Sequence, residues 1–181
     1  MKFLVIGGID LSQNKETEIQ LQYIEKCKEL LAKSSTKRPT FHIQNEGCQM
    51  NSIQTESIAA IMEKMGYEMV DTEDADAVVF NTCTVRENAN QKIYGHLGHL
   101  KRIKRDHPDM KIVLFGCMMQ EHHVVEKIRK DYKYVNLVFG THNIHKFPEL
   151  FYRTLQTDDQ IIDIWRESDE IVEGMPTSRK Y

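Results

Sequence analysis

Several features typical of common protein classes are missing from this sequence. The chain has no apolar run long enough to cross a bilayer, and its N-terminal segment is too short for the apolar region of a signal peptide. We therefore expect a cytoplasmic protein with no membrane partner. No GxGxxG or GxxxxGKS/T loop is present. This absence argues against a nucleotide or flavin binder.

Cysteine is scarce, and none of the four cysteines forms a CxxC pair with another. In a reducing compartment such cysteines more often bind metal or take part in catalysis than form structural disulfides. The wide spacing argues against a structural zinc site of the paired type and against a dithiol redox protein. One cysteine, Cys27, lies on the apolar stripe of a predicted helix, where we expect it to be buried.

No charge of one sign dominates, because 24 basic residues face 27 acidic residues and the net charge is −3. The chain therefore has no global signature of nucleic-acid binding, and any basic surface must be local. Four basic residues, Lys101, Arg102, Lys104 and Arg105, fall within a predicted helix at 92–106. They are compatible with phosphate contacts and equally with a solvated helix face.

Short apolar segments alternate with helical patterns after residue 39. The predicted strands are 40–44, 67–70, 77–80, 111–115 and 136–139, and the predicted helices are 51–65, 87–106, 118–130 and 148–155. This alternation is typical of βαβ units. The sequence therefore predicts a three-layer α/β fold with a mostly parallel open sheet, Rossmann-like or flavodoxin-like.

The composition divides the chain into three parts. Residues 1–39 are predicted to be a helical extension and linker, with Ile24, Cys27 and Leu31 along one helix face. Residues 40–155 carry the strand and helix alternation. Residues 156–181 are acidic at first and have little apolar periodicity, which is typical of a connector.

Three cysteines occupy equivalent places in the predicted fold. Cys48, Cys83 and Cys117 are 35 and 34 residues apart (83 − 48 and 117 − 83), and each follows a strand and precedes a helix. Because the carboxyl ends of parallel strands open on one edge of a sheet, we expect the three to be neighbours in space. Three thiolates suit a 4Fe–4S cluster that has one iron without a protein ligand.

A three-thiolate zinc site is the alternative metal centre, with a histidine as its fourth ligand. The candidates for that ligand are His42, His96, His99, His122, His123 and His142. Four further polar residues lie within a few positions of the cysteines and are candidates to donate to cluster sulfurs: Asn51, Asn81, Arg86 and Gln120. Capping and turn formation are alternative roles for the two asparagines.

Four motifs occur in order around these cysteines: GCQMN at 47–51, NTCTVRE at 81–87, Lys92 with GHLG at 95–98, and GCMMQ at 116–120. Together they resemble the N-terminal domain of the tRNA methylthiotransferases. These radical S-adenosylmethionine enzymes convert isopentenyladenosine next to the anticodon to its 2-methylthio derivative. The resemblance extends from about residue 40 to residue 181.

The resemblance implies that Cys48, Cys83 and Cys117 ligate an auxiliary 4Fe–4S cluster that takes part in sulfur delivery. It also implies a second 4Fe–4S cluster, held by a CxxxCxxC motif in a separate domain that cleaves S-adenosylmethionine. This chain has no CxxxCxxC. We therefore expect it to contain no catalytic residues of its own and to be inactive alone. Its expected partner is tRNA, and no feature of the sequence identifies the sulfur donor.

Two departures from the family pattern are evident. Glu46 stands where members commonly have an aromatic residue, and the helix before residue 39 is not part of the shared domain. The nearest competing branch modifies an aspartate of a ribosomal protein and usually has GCPKN at the first cysteine. Gln49, Met50 and the VRE triplet at 85–87 favour the tRNA branch. The alternative outside the enzymes is a flavodoxin-like binding domain.

Overall fold

A computed structural model of the chain describes residues 5–6, 9–10, 15–34, 37–46, 49–84 and 89–164. Its strands are β1 (Val5–Ile6), β2 (Ile9–Asp10), β3 (Thr40–Asn45), β4 (Glu68–Met69), β5 (Ala77–Thr82), β6 (Lys111–Gly116), β7 (Leu137–Phe139) and β8 (Ile161–Asp163). Its α-helices are α1 (Lys15–Ser34), α2 (Gln49–Lys64), α3 (Ala89–Asp106), α4 (His122–Asp131) and α5 (Phe147–Gln156). Two 3-10 helices span Cys117–Gln120 and Thr141–Lys146.

Six strands form one parallel sheet in the order β4-β3-β5-β6-β7-β8, and β1 pairs with β2 in a separate antiparallel ladder. The strand order reverses between β3 and β5, because the chain leaves β3 for the edge strand β4 and then returns to the far side of β3. Open α/β sheets bind ligands at such a switch point, outside the carboxyl ends of the strands. The loops after β3 and β5 flank this position.

The sheet is covered by helices on both faces. Alternate residues of β5 and β6, such as Val79 and Val113, pack with α1, α2 and α5, while Val78 and Ile112 pack with α3 and α4. Every residue of β5 and β6 is buried, as expected of strands in the middle of a parallel sheet. These layers confirm the predicted three-layer α/β class.

The predicted helix at 118–130 is interrupted. Cys117–Gln120 is a 3-10 turn, Glu121 has an extended backbone (φ −79°, ψ 111°), and α4 begins only at His122. Met118 and Met119 are both fully buried, as are Val124 and Ile128. The buried apolar residues on the two sides of Glu121 therefore follow the spacing of one continuous helix. For this reason the periodicity of the sequence alone could not reveal the break.

Two elements outside the 40–155 segment join the same sheet and core. From α1, Ile24 and Cys27 are buried among residues of α2 and α5, and Gln20 Oε1 accepts a hydrogen bond from the Glu149 backbone N–H at 3.1 Å. Strand β8 lies within the predicted connector and pairs in parallel with β7. The division of the chain into three parts stays a prediction.

Candidate metal centre

Two of the predicted ligands follow neighbouring strands directly. The last residue of β5, Thr82, pairs with the last residue of β6, Gly116, so Cys83 and Cys117 leave the sheet side by side. Adjacent strands lie about 4.8 Å apart, which sets the scale of this separation. Cys83 is buried with 1% of its surface exposed, and Cys117 is half-buried at the start of a 3-10 helix.

The third predicted ligand, Cys48, lies outside the described residues, as does Arg86. Its flanking elements are described. Asn45, near the end of β3, pairs with Asn81 of β5, and the Glu46 backbone N–H donates to the Asn81 carbonyl at 2.9 Å. Helix α2 begins at Gln49, immediately after this loop. The strand that precedes Cys48, β3, is therefore next to β5, the strand that precedes Cys83.

Asn51 and Asn81 form a buried polar network beneath these loops. Asn81 Nδ2 donates to the Asn51 carbonyl at 2.8 Å and to Thr55 Oγ1 at 3.0 Å. Asn51 Nδ2 donates to the Thr82 carbonyl at 3.1 Å, and Asn51 Oδ1 lies 4.0 Å from the Cys117 sulfur. The two asparagines therefore link α2 to the strand ends that carry the cysteines. Sequence analysis missed Thr55 because nothing in its local pattern distinguishes it.

Gly116 is needed for the close approach of β5 and β6 at this edge. Its backbone has φ +110° and ψ −171°, a region essentially restricted to glycine. A Cβ there would overlap the Thr82 carbonyl oxygen and would lie 2.5 Å from Asn81 Oδ1 and 2.8 Å from the Thr82 nitrogen. Asn81 Oδ1 is buried and has no hydrogen-bond partner among the described residues. Only hydrogen at Gly116 leaves room for that oxygen.

Gln120 lies at the end of the 3-10 helix that begins with Cys117. Its side-chain amide contacts the backbone of Gly140, where a Cβ would overlap Nε2, and that nitrogen has no hydrogen-bond partner in the described part of the chain. The side chain therefore packs against the turn that follows β7.

The histidines are engaged elsewhere or exposed. His42 Nδ1 lies 2.9 Å from the Val70 carbonyl oxygen, and His96 Nδ1 lies 2.7 Å from Glu73 Oε1. His99 Nε2 lies 3.7 Å from the same carboxylate. The remaining candidates, His122, His123 and His142, are exposed.

No group of three or more His, Cys, Asp or Glu side chains that could hold a metal ion occurs among the described residues. A histidine-completed zinc site at Cys83 and Cys117 is therefore not supported by this part of the chain. The described donors at this edge are two thiols without an added imidazole or carboxylate. Such soft donors suit iron–sulfur or zinc chemistry.

Glu46 follows β3 directly and its side chain contacts two neighbouring residues. Its carboxylate accepts a hydrogen bond from Gln44 Nε2 and lies 4.0 Å from His96 Nε2. Only 13% of its side chain is exposed. Glu46, which departs from the family pattern described above, therefore connects the end of β3 to α3.

The four basic residues between positions 101 and 105 of α3 comprise one internal and three outer cations. Lys104 Nζ donates to the Met110 carbonyl at 2.8 Å and to Asn136 Oδ1 at 2.6 Å. Burial, reinforced by nearby Lys111, lowers the pKa of Lys104 to about 8. Lys101, Arg102 and Arg105 are on the outer surface of α3. Lys104 is thus a structural residue, and phosphate contact would fall to the other three.

None of the helices in the described ranges has both the length and the apolar character needed to cross a bilayer.

Comparison with known proteins identifies a matching family and many relatives. Residues 40–140 match the family described as Uncharacterized protein family UPF0004. A protein of Lachnoclostridium phytofermentans is 55% identical over 142 residues, which is 78% of this chain and 31% of the relative. A protein of Clostridioides difficile is 42% identical over 174 residues, which is 96% of this chain and 36% of the relative. Both are named tRNA-2-methylthio-N(6)-dimethylallyladenosine synthase. The chain spans about a third of the length of these curated relatives.

Proposed function

Because this chain belongs to the UPF0004 family, the N-terminal domain of methylthiotransferases, we propose that it is a domain of a tRNA-2-methylthio-N(6)-dimethylallyladenosine synthase. The substrate would be tRNA that carries isopentenyladenosine next to the anticodon. The relatives' names support this substrate over an aspartate of a ribosomal protein. A tRNA substrate also agrees with the cytoplasmic location expected from the sequence.

We further propose that Cys48, Cys83 and Cys117 ligate an auxiliary 4Fe–4S cluster. The single observation that carries this assignment is the pairing of Thr82 with Gly116, because it makes the next residues, Cys83 and Cys117, neighbours at the switch-point edge. The bound cluster would supply an iron without a protein ligand, at which sulfur could be held for delivery.

The domain's own contribution is to hold and enclose this site. The burial of Cys83 keeps water from one ligand, and the asparagine network fixes the strand ends on either side. Radical cleavage of S-adenosylmethionine and its second cluster are assigned to residues outside this chain, because the chain has no CxxxCxxC motif. We expect this chain alone to bind iron without turning over substrate.

Anaerobic reconstitution with iron and sulfide tests the ligand set. We expect about four irons per chain for the parent protein. Cys48→Ser, Cys83→Ser and Cys117→Ser should each lose most of the bound iron. Cys27→Ser is the matched control, because this cysteine is fully buried in the core, and it should bind as much iron as the parent. Parent-like iron content in Cys83→Ser or Cys117→Ser would refute the shared site.

The full-length protein tests the substrate. With the reconstituted protein, S-adenosylmethionine, a reductant, sulfide as the sulfur source and tRNA that carries isopentenyladenosine, we expect this nucleoside to gain the mass of one methylthio group in place of hydrogen. The control is tRNA that lacks the isopentenyl group. A mass gain on a ribosomal protein, with none on tRNA, would reassign the substrate.

A further inference from the structure

Asn51 lies against the chain segments that carry Cys83 and Cys117. It is in the first turn of α2, three residues after Cys48, and only 1% of its surface is exposed. Its backbone carbonyl accepts hydrogen bonds from Asn81 Nδ2 and from Thr55 Oγ1, each at 2.8 Å. The backbone of this turn is therefore tied to β5, the strand that leads to Cys83.

The orientation of the Asn51 side-chain amide is determined by its partners. Nδ2 donates to the Thr82 carbonyl at 3.1 Å, and a carbonyl oxygen can only accept. The opposite orientation would place two acceptor oxygens against each other. Oδ1 must therefore face away from Thr82, and it lies 4.0 Å from the Cys117 sulfur. A thiol can donate weakly to this oxygen, which favours one orientation of the cysteine side chain.

We propose that Asn51 is a positioning residue that orients the Cys117 side chain relative to the peptide that carries Cys83. This inference rests on the proposed function of the cysteines as metal ligands. Mutation of the partners that hold metal ligands in place commonly lowers metal affinity by about 10–100-fold. The Asn51–Thr82 hydrogen bond alone would only attach α2 to β5. The contact of Asn51 Oδ1 with the Cys117 thiol additionally orients that side chain in the cluster-free chain. A thiolate bound to metal has no proton to donate, so Asn51 acts by orienting the ligand before the metal binds.

Alkylation of the cluster-free chain gives a readout that needs neither iron nor activity. Asn51→Leu keeps much of the side-chain volume and removes both polar atoms. We expect iodoacetamide to modify Cys117 several-fold faster in this variant than in the parent, measured peptide by peptide by mass spectrometry. The rate at Cys27, which is fully buried, should not change.

Asn143→Leu is the matched control. Asn143 is fully buried, and its Nδ2 donates to the Asp163 carbonyl at 2.7 Å, a bond of the same kind near the sheet edge formed by β8. This variant should lose stability as Asn51→Leu does but leave the Cys117 alkylation rate at the parent value. If Asn51→Leu does not fold, as judged by circular dichroism, Asn51→Ser replaces it with a smaller change in polarity.

Iron retention separates this inference from the proposed function. After reconstitution, we expect the Asn51 variant to hold iron about tenfold more weakly than the parent against a chelator. Parent-like alkylation of Cys117 and parent-like iron retention would overturn the positioning role while leaving the three-cysteine site intact. If the parent binds no iron but the variant alkylates faster, the cluster assignment fails and the orientation of Cys117 by Asn51 stands.

Discussion

Replacement of Gly116 by alanine should destabilise the protein strongly, because two independent costs coincide at this residue. The backbone conformation, φ +110° and ψ −171°, is one that residues with a Cβ adopt only at a cost of about 1–3 kcal/mol. The new methyl group would also overlap the Thr82 carbonyl and crowd Asn81 Oδ1 at 2.5 Å. Overpacking of this kind costs about 1–3 kcal/mol more.

The sum predicts that Gly116→Ala lowers the free energy of unfolding by roughly 2–6 kcal/mol. For a chain of this size each kcal/mol corresponds to a change in Tm of about 2–4 °C, so even the lower bound is measurable. The assay is urea unfolding of the cluster-free chain, followed by far-ultraviolet circular dichroism. A lower midpoint with an unchanged slope would report lost stability rather than a change in the unfolded state.

Gly98→Ala is the matched control for this measurement. Gly98 lies within α3, and a Cβ there would have no atom within 4 Å. The same substitution should therefore stabilise the protein by about 1 kcal/mol, since alanine is the better helix former. If the free energy of unfolding of Gly116→Ala were within about 1 kcal/mol of the parent value, β5 and β6 would not approach each other as closely at this edge as described.

Three further predictions concern the core and its ionisable groups. Ile24→Ala should cost roughly 2–5 kcal/mol in urea unfolding, whereas Ile19→Ala, at an exposed site on the same helix, should cost under about 0.5; equal costs would contradict the packing of α1. Burial raises the pKa of Cys27 from 9.0 to about 12, so only the unfolded thiol ionises between these values. Between pH 8 and 10 the free energy of unfolding of the parent should therefore fall by about 1 kcal/mol relative to that of Cys27→Ala. If the difference between the two proteins did not change with pH, the burial of Cys27 would be contradicted. The pKa of Lys104 is lowered from 10.5 to about 8, so the unfolded state binds more protons in this window. As the pH rises from 8 to 10, the free energy of unfolding of the parent should increase relative to that of Lys104→Met. A decrease would contradict the lowered pKa of Lys104.

Local sequence was sufficient for the framework of the sheet. The apolar run that begins at Ala77 and the one that begins at Ile112 lie in the two central strands, because strands buried on both faces need continuous apolar residues. That Cys83 and Cys117 each come directly after a strand was also evident locally, whereas their side-by-side placement required the pairing of β5 with β6. The local features are determined within short windows of the chain, where periodicity and residue type carry the information.

Tertiary structure decided the features that depend on residues distant in sequence. The helix α1 is part of the main core because Ile24 and Cys27 meet α2 and α5, a contact that no local pattern encodes. Strand β8 is only three residues long, and all three are half-buried. Its sequence is therefore too short for an apolar periodicity that would predict a strand. Asn51 was a candidate by proximity to Cys48, but its contact with Cys117, 66 positions away, exists only once β5 and β6 are paired. Sequence thus determined which residues reach the edge of the sheet, while long-range packing determined how those residues are held there.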